Sequence, residues 1–250
     1  MRRFFVEQIP SQGKNLIING AEAGHITRVL RMAPGAHILL MDERGALCEA
    51  VIVSAGRREV DVHILRALAP PLPSPIEITL CQALLKAAAM DFTIQKASEL
   101  GAHKILPFSS QRTVVRLNRD GHAAKTRHWR EIAVHASKQS GRTRPPVVNP
   151  PSSLADLAEQ WKDEKALKLI LWEDEHTQNF KDLLRGSDPW RKVVGIIGPE
   201  GGFSGDEVEK LRQAGFRSVT LGRRILRAET AALALLAILQ YEWGDMGNTA

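Results

Sequence analysis

Up to Ala69 the apolar residues fall in short alternating or clustered runs, over residues 37–41, 47–54 and 60–65. Side chains of a strand point to opposite faces in turn, so such runs read as half-buried strands. Polar turns at Glu43-Arg44-Gly45 and Ala55-Gly56-Arg57 separate them, and one short helix is predicted over residues 21–30. A small β-barrel over residues 1–72 is the expected solution. Pro70-Pro71-Leu72-Pro73-Ser74-Pro75 then interrupts both helix and sheet, because proline lacks the N–H and fixes φ. Beyond it the period changes. Strands are predicted over 76–82, 104–107, 167–172, 193–197 and 218–221, and helices over 84–100, 124–139, 206–214 and 230–243. Alternation of this kind implies a largely parallel sheet covered by helices, an α/β domain over residues 73–250. The last helix, with Ala231-Ala232-Leu233-Ala234-Leu235-Leu236-Ala237, is apolar nearly all round and is expected to be buried, within its own chain or against a second copy.

Composition narrows the partners. A chain of 250 residues with 44% hydrophobic content can build a sizeable core. Its formal net charge of +6 favours a polyanion, against the alternative of a generically basic protein. Lys125, Arg127, Arg130, Lys138, Arg142 and Arg144 crowd one short region and strengthen the first choice. Only Cys48 and Cys81 occur, which fits a reduced cytoplasm and no disulfide frame. The longest strictly apolar run, 231–239, is too short to span a bilayer, and Met1-Arg2-Arg3 lacks the apolar stretch of a signal peptide. Scattered histidines give no metal-ligand spacing, and no G-x-S-x-G elbow is present.

The chemistry concentrates in two glycine-centred turns. Ile197-Gly198-Pro199-Glu200-Gly201-Gly202-Phe203 and Leu221-Gly222-Arg223-Arg224-Ile225-Leu226-Arg227 each follow an apolar run and precede a helix. Both should therefore lie at carboxyl ends of strands, the edge where open α/β sheets bind ligands. Gly198, Gly201 and Gly202 permit positive φ and close backbone approach, and Ser204 with Glu207 forms a capping box for the next helix. Neither G-x-G-x-x-G nor G-x-x-x-x-G-K-[ST] occurs, so a nucleotide phosphate is a poor ligand. Backbone N–H and C=O groups suit an adenine edge better. An ordinary strand-to-helix connection is the competing explanation.

The strings GPEGGFSGDEVE and LGRRILRAETA resemble the two signature motifs of the RsmE family, N3-specific uridine methyltransferases of small-subunit ribosomal RNA in the knotted SPOUT superfamily. MRRFFV at the start, HITRVLR, KASELG and QSGR resemble four further blocks, so the resemblance spans nearly the whole chain. It implies a SPOUT-type α/β domain with a C-terminal trefoil knot, preceded by a PUA-like RNA-binding barrel. It implies S-adenosyl-L-methionine as methyl donor, a homodimer, and small-subunit (16S) ribosomal RNA or the small subunit as substrate. Gly198, Glu200, Gly201, Gly202, Leu221, Gly222, Ile225 and Leu226 would line the donor pocket, with Leu171 and Trp172 at a preceding strand end, although Trp172 could equally be core. N3 of uridine loses its proton only well above neutral pH, so the site needs a base or an anion-stabilising group. Arg227, Glu229 and Thr230 are the catalytic candidates: arginine for charge on O2 or O4, a carboxylate for the proton. Glu229 could instead serve its helix terminus, and Arg227 an interfacial salt bridge. RNA candidates are Arg2, Arg3, Arg28 and Arg31 in the barrel, and Lys86, Lys96 and Arg142 in the α/β domain. Lys138 departs from the family pattern, which has an acidic residue before the glutamine. A non-catalytic RNA-binding or ribosome-assembly factor on the same fold is the alternative function.

Overall fold

The computed structural model describes residues 1–42, 44–116 and 119–247. They divide into two compact units, one of Met1–Leu72 together with Ser137–Arg144, the other of Pro73–Ala136 and Pro145–Ala250. Ser137–Arg144 thus groups with the N-terminal unit, although linear order places it far inside the α/β domain.

The first unit contains β1 (Arg2–Val6), β2 (Asn15–Asn19), α1 (Gly20–Gly24), β3 (His37–Asp42), β4 (Leu47–Ala55) and β5 (Glu59–Leu68). They form one five-stranded sheet in the order β1-β3-β4-β5-β2. β1 pairs parallel with β3, and the remaining pairs are antiparallel. Phe4, Ile18, Ile38, Leu40, Ile52 and Val62 fill its core. The helix predicted over 21–30 is two pieces, because α1 gives way to a π-helical turn over His25–Val29 and Arg31 then adopts φ 49°. The turn predicted at 43–45 includes Glu43, which lies outside the described residues; beside it Gly45 donates to the Asp42 carbonyl at 2.9 Å.

The second unit contains β6 (Glu77–Ala83), α2 (Ala87–Glu99), β7 (Lys104–Ser109), α3 (Arg119–Ser140), β8 (Val147–Val148), β9 (Ser152–Ser153), α4 (Leu154–Trp161), β10 (Leu167–Leu171), α5 (Phe180–Arg185), β11 (Lys192–Ile197), α6 (Gly205–Gln213), β12 (Arg217–Val219) and α7 (Ala228–Glu242). All strand pairs are parallel, in the order β12-β10-β11-β6-β7-β8, with β9 also on β7. One apolar layer lies between the sheet and α2 and α7, and a second lies on the opposite face with α4 and α6. That two-sided burial explains why β10 reads LKLIL, a continuous rather than alternating run. Its one polar member, Lys168, is buried with Nζ donating to the carbonyls of Lys162 and Ala214.

Two details tighten the second unit. Gly195 sits in β11 where a β-carbon would collide with Leu235 of α7, so this helix lies directly on the strand backbone. The fully buried Gln240 accepts from the Ser74 hydroxyl at 2.9 Å and donates to the Gly101 carbonyl at 3.3 Å. Within its own unit α7 buries Ala232, Leu235, Leu236 and Leu239, while Leu233, Ala234, Ala237 and Ile238 stay half-exposed. Among the described residues no helix is long and apolar enough to cross a membrane.

Candidate active site

Register places the two glycine turns side by side. In β10, Leu171 is paired with Ile197 of β11 on one side and Val219 of β12 on the other. Gly198 follows the first partner and Leu221 follows the second by two residues, so both turns leave the same carboxyl edge with Leu171 and Trp172 between them. This is the edge at which parallel sheets collect ligand-binding loops.

The first turn is built by short-range constraints. Gly202 donates to the Pro199 carbonyl at 3.0 Å and has φ 68°, a left-handed conformation that strains any residue with a β-carbon. A β-carbon there would also collide with the Glu173 carboxylate of the neighbouring loop. Gly198 and Gly201 differ from expectation, since neither has positive φ. Gly198 is glycine because a β-carbon would stand 3.1 Å from the Phe203 ring, and Gly201 because Arg112 Cβ would stand at 3.2 Å. Phe203 stacks on Phe108 with centroids 6.3 Å apart, which fixes the far side of the turn. The capping box forms as predicted: Ser204 Oγ accepts from Glu207 N, and Glu207 Oε2 accepts from Ser204 N at 3.0 Å. Glu207 uses its other oxygen to accept from Gln111 N at 2.7 Å, and Arg112 Nη1 donates to the Gly201 carbonyl at 3.0 Å. Glu200 accepts from Lys86 N, the N-cap of α2, at 3.4 Å.

The second turn is open. Gly222 has φ 112° with no atom within 4 Å of a β-carbon position, and the Ile225 side chain is 88% exposed. Leu221 and Leu226 are half-buried, and exposed Arg227 is the N-cap of α7. Glu229 lies in the first turn of α7, and Thr230 follows it, exposed. The helix starts two residues earlier than predicted, so all three catalytic candidates stand at or within its N-terminal turn.

Between the turns, an unforeseen carboxylate holds the loop that leaves β10. Glu175 accepts from the Ser218 hydroxyl at 2.5 Å, from Thr177 N at 2.8 Å, from Gln178 N at 3.2 Å and from Arg212 at 3.2 Å. Burial pushes its carboxyl up, but the hydrogen bonds from Ser218 and Thr177 outweigh burial and hold it at about 2. Arg212 also lies over the Trp172 ring at 5.5 Å. Trp172 is half-buried and packs against the α4–α6 core, so it belongs partly to the interior, as its alternative reading allowed.

A family profile described as an RNA methyltransferase domain matches residues 72–240, and one described as an RNA methyltransferase PUA domain matches residues 18–65. Ribosomal RNA small subunit methyltransferase E of Bacillus subtilis is 30% identical over 250 residues, covering 97% of each chain. The chain belongs to the RsmE family. Its fold matches that of the Neisseria gonorrhoeae member bound to S-adenosyl methionine, with TM-score 0.88 and 33% identity over 98% of this chain and 99% of that one. A methyltransferase from Legionella pneumophila, solved with bound cofactor SAM, matches with TM-score 0.90 and 32% identity over 98% of both chains. The first unit of this RsmE-family chain is accordingly a PUA-like sheet, and the second its methyltransferase domain.

The basic residues are distributed unevenly over the RsmE fold. Arg2 and Arg28 are exposed, as is Arg31 with its positive φ. Arg3 is half-buried, donates to the Lys138 carbonyl at 3.5 Å and runs against Gly141. Arg142, expected in the α/β domain, groups with the first unit instead, next in sequence to Gly141, which Arg3 approaches. Lys86 is exposed beside the glycine turn. Lys96 is held by Glu99 at 2.8 Å, an i,i+3 pair that leaves less of its charge for a partner. The anomalous Lys138 forms an ion pair with Glu22 and lies 5.8 Å from the Phe5 ring centroid, a local solution entirely within the first unit.

Proposed function

We propose that the protein transfers a methyl group from S-adenosyl-L-methionine to N3 of a uridine in small-subunit ribosomal RNA. RsmE membership supports the class of reaction and substrate, and the juxtaposition of the two glycine turns on one sheet edge carries the assignment of the site. The residues fit the donor: backbone at Gly198 and Gly222, apolar walls from Leu171, Leu221, Ile225 and Leu226, and open space above Gly222. Gly201, Gly202, Glu200 and Trp172 complete the rim. When bound, the donor supplies an electrophilic sulfonium methyl, so neither a metal nor a covalent enzyme adduct is required.

The chain's own residues then have three tasks. The turns position the reacting atoms, and positioning alone can lower a barrier by several kcal/mol, roughly 7–11 in the best-oriented cases. Arg227 faces solvent at the N-cap of α7, where its guanidinium can balance negative charge growing on O2 or O4 of the uracil. Glu229 accepts the N3 proton directly or through water, with Thr230 beside it. Both also feel the positive end of the α7 dipole, which favours anionic groups gathered there.

The same reading includes a homodimer, a trefoil knot threading the turns, and action in the cytoplasm. The half-exposed face of α7, with Leu233, Ala234, Ala237 and Ile238, supports the dimer, and the order β12-β10-β11 supports an intertwined C-terminal half. RNA would be held by Arg2, Arg3, Arg28, Arg31 and Arg142 on the first unit, and by Lys86 and Lys96 on the second.

Mass spectrometry of ribosomal RNA from a deletion strain should show one uridine losing 14 mass units, and the purified protein should restore it. Arg227→Ala should lower single-turnover methylation by ~100- to 1,000-fold with unchanged donor affinity. Chemistry near the wild-type rate in that variant would make Arg227 structural.

A further inference from the structure

A cavity opens at the same carboxyl edge of the sheet. It measures about 340 Å³ and is lined by Leu84 after β6, by Ser110, Gln111, Thr113 and Arg116 in the loop after β7, and by His122 in α3. Its volume is at the small end of ligand pockets, which run from roughly 300 to 1,000 Å³, so it suits a single nucleotide-sized group.

Its loop is rigid and tied to the first turn. Ser110 N donates to Thr113 Oγ1 at 2.9 Å and Thr113 N donates back to the Ser110 carbonyl at 3.1 Å. Gln111 N is bonded to Glu207, and Arg112 to the Gly201 carbonyl. The cavity therefore keeps a fixed position beside the turn proposed to hold the methyl donor. Its lining combines a guanidinium and an imidazole, suited to a phosphate, with hydroxyls and a carboxamide, suited to sugar and base edges. Leu84 supplies an apolar surface for a ring face.

We infer that this cavity receives one nucleotide of the RNA strand that carries the acceptor uridine, its phosphate on Arg116 and its sugar and base against Gln111 and Thr113. The inference rests on the methyltransferase reading and adds the place where the strand enters. Extruding one nucleotide from a paired or stacked strand is how an enzyme gains access to an atom on a base edge.

The test uses the full chain, ribosomal RNA from the deletion strain, and three variants: Arg116→Ala, Arg116→Lys and Gln111→Ala. Donor affinity, measured by calorimetry, should stay at the wild-type value in all three. Arg116→Ala should raise the KM for RNA about tenfold, the scale of one charge-assisted hydrogen bond. It should also flatten the dependence of log KM on log salt by ~0.7, the value of one single-strand phosphate contact. Arg116→Lys should restore the slope, and Gln111→Ala should raise KM without altering it. If the wild type methylates the RNA and Arg116→Ala keeps both its KM and its salt slope, the cavity is no part of the RNA path. If the wild type transfers no methyl group, the methyltransferase reading fails first and this inference falls with it.

Discussion

Replacing Glu175 with Gln should strip the second unit of stability at neutral pH and of its sensitivity to acid. The Glu175 carboxylate lies 6% exposed and accepts from Ser218, Thr177, Gln178 and Arg212. In the folded chain its carboxyl stays ionised down to about 2, against an ordinary value of 4.5. At 1.36 kcal/mol per pKa unit, that difference corresponds to about 3 kcal/mol of stability. The sign follows from linkage. A depressed folded value means the unfolded chain takes up the proton first, so the contribution is complete above pH 4.5 and is lost as pH falls towards 2. By pH 3 about 2 kcal/mol of it should be gone. All five tryptophans, Trp129, Trp161, Trp172, Trp190 and Trp243, lie in the second unit, so urea unfolding followed by tryptophan fluorescence reads that unit selectively. Between pH 6 and pH 3 the wild type should lose that 2 kcal/mol more than Glu175→Gln does, and the two curves should converge at low pH. Because the loop held by Glu175 begins at Trp172, donor affinity should fall in the variant as well. Parallel acid profiles would mean that the cluster of hydrogen bonds does not hold the charge and that Glu175 adds no acid-sensitive stability.

Gly198→Val should fold but bind the donor at least about tenfold more weakly, because the new side chain would push Phe203 off Phe108; calorimetry with the folded variant checks this, and unchanged affinity removes the turn from the site. Gly195→Ala should cost about 1–3 kcal/mol by overpacking against Leu235, seen as a lower urea midpoint by tryptophan fluorescence, and a following Leu235→Ala should cost less than it does in the wild type. Lys138→Ala should leave the Glu22 carboxylate without its cation and destabilise the first unit by about 3 kcal/mol, read as faster amide hydrogen exchange in the five strands there while tryptophan unfolding is unmoved.

What could be read in the chain depended on how far apart the interacting residues lie. The strands from β3 to β7 and from β10 to β12, and the helices α2, α3, α6 and α7, follow from local periodicity, and the two turns were visible because each ends an apolar run. The capping box of α6 is equally local. The capping box of α4, Ser153 with Asp156, was just as local and could have revealed that helix, had aspartate been admitted at the fourth position. β8 and β9, at two residues each, are too short for any alternation to register. The glycines show a different limit. Positive φ was the natural reason to expect at Gly198, yet the reason lies in the Phe203 ring, which only the folded turn supplies. Glu175 is harder still, since it resembles any loop carboxylate until Arg212 and Ser218, 37 and 43 residues away, converge on it.

Lys138 carries this furthest. It stands within a helix of the α/β part, and its acidic partner Glu22 is 116 residues earlier, so sequence alone could only mark it as an oddity. Once Ser137–Arg144 is seen to group with the N-terminal sheet, the proline linker no longer separates two independent pieces. A chain cut near Ser74 would retain Lys138, Gly141 and Arg142 while losing Glu22, Phe5 and Arg3, which surround them. A lower RNA affinity in it would then reflect the disturbed end of α3 as readily as the missing arginines of the first unit. Charge substitutions at Arg2, Arg28 and Arg31 in the intact chain separate the two causes, because those side chains are exposed and leave the Lys138 contacts in place. Each true phosphate contact among them should flatten the salt dependence of RNA affinity by ~0.7 to 0.9, and a residue that leaves the slope unchanged makes none.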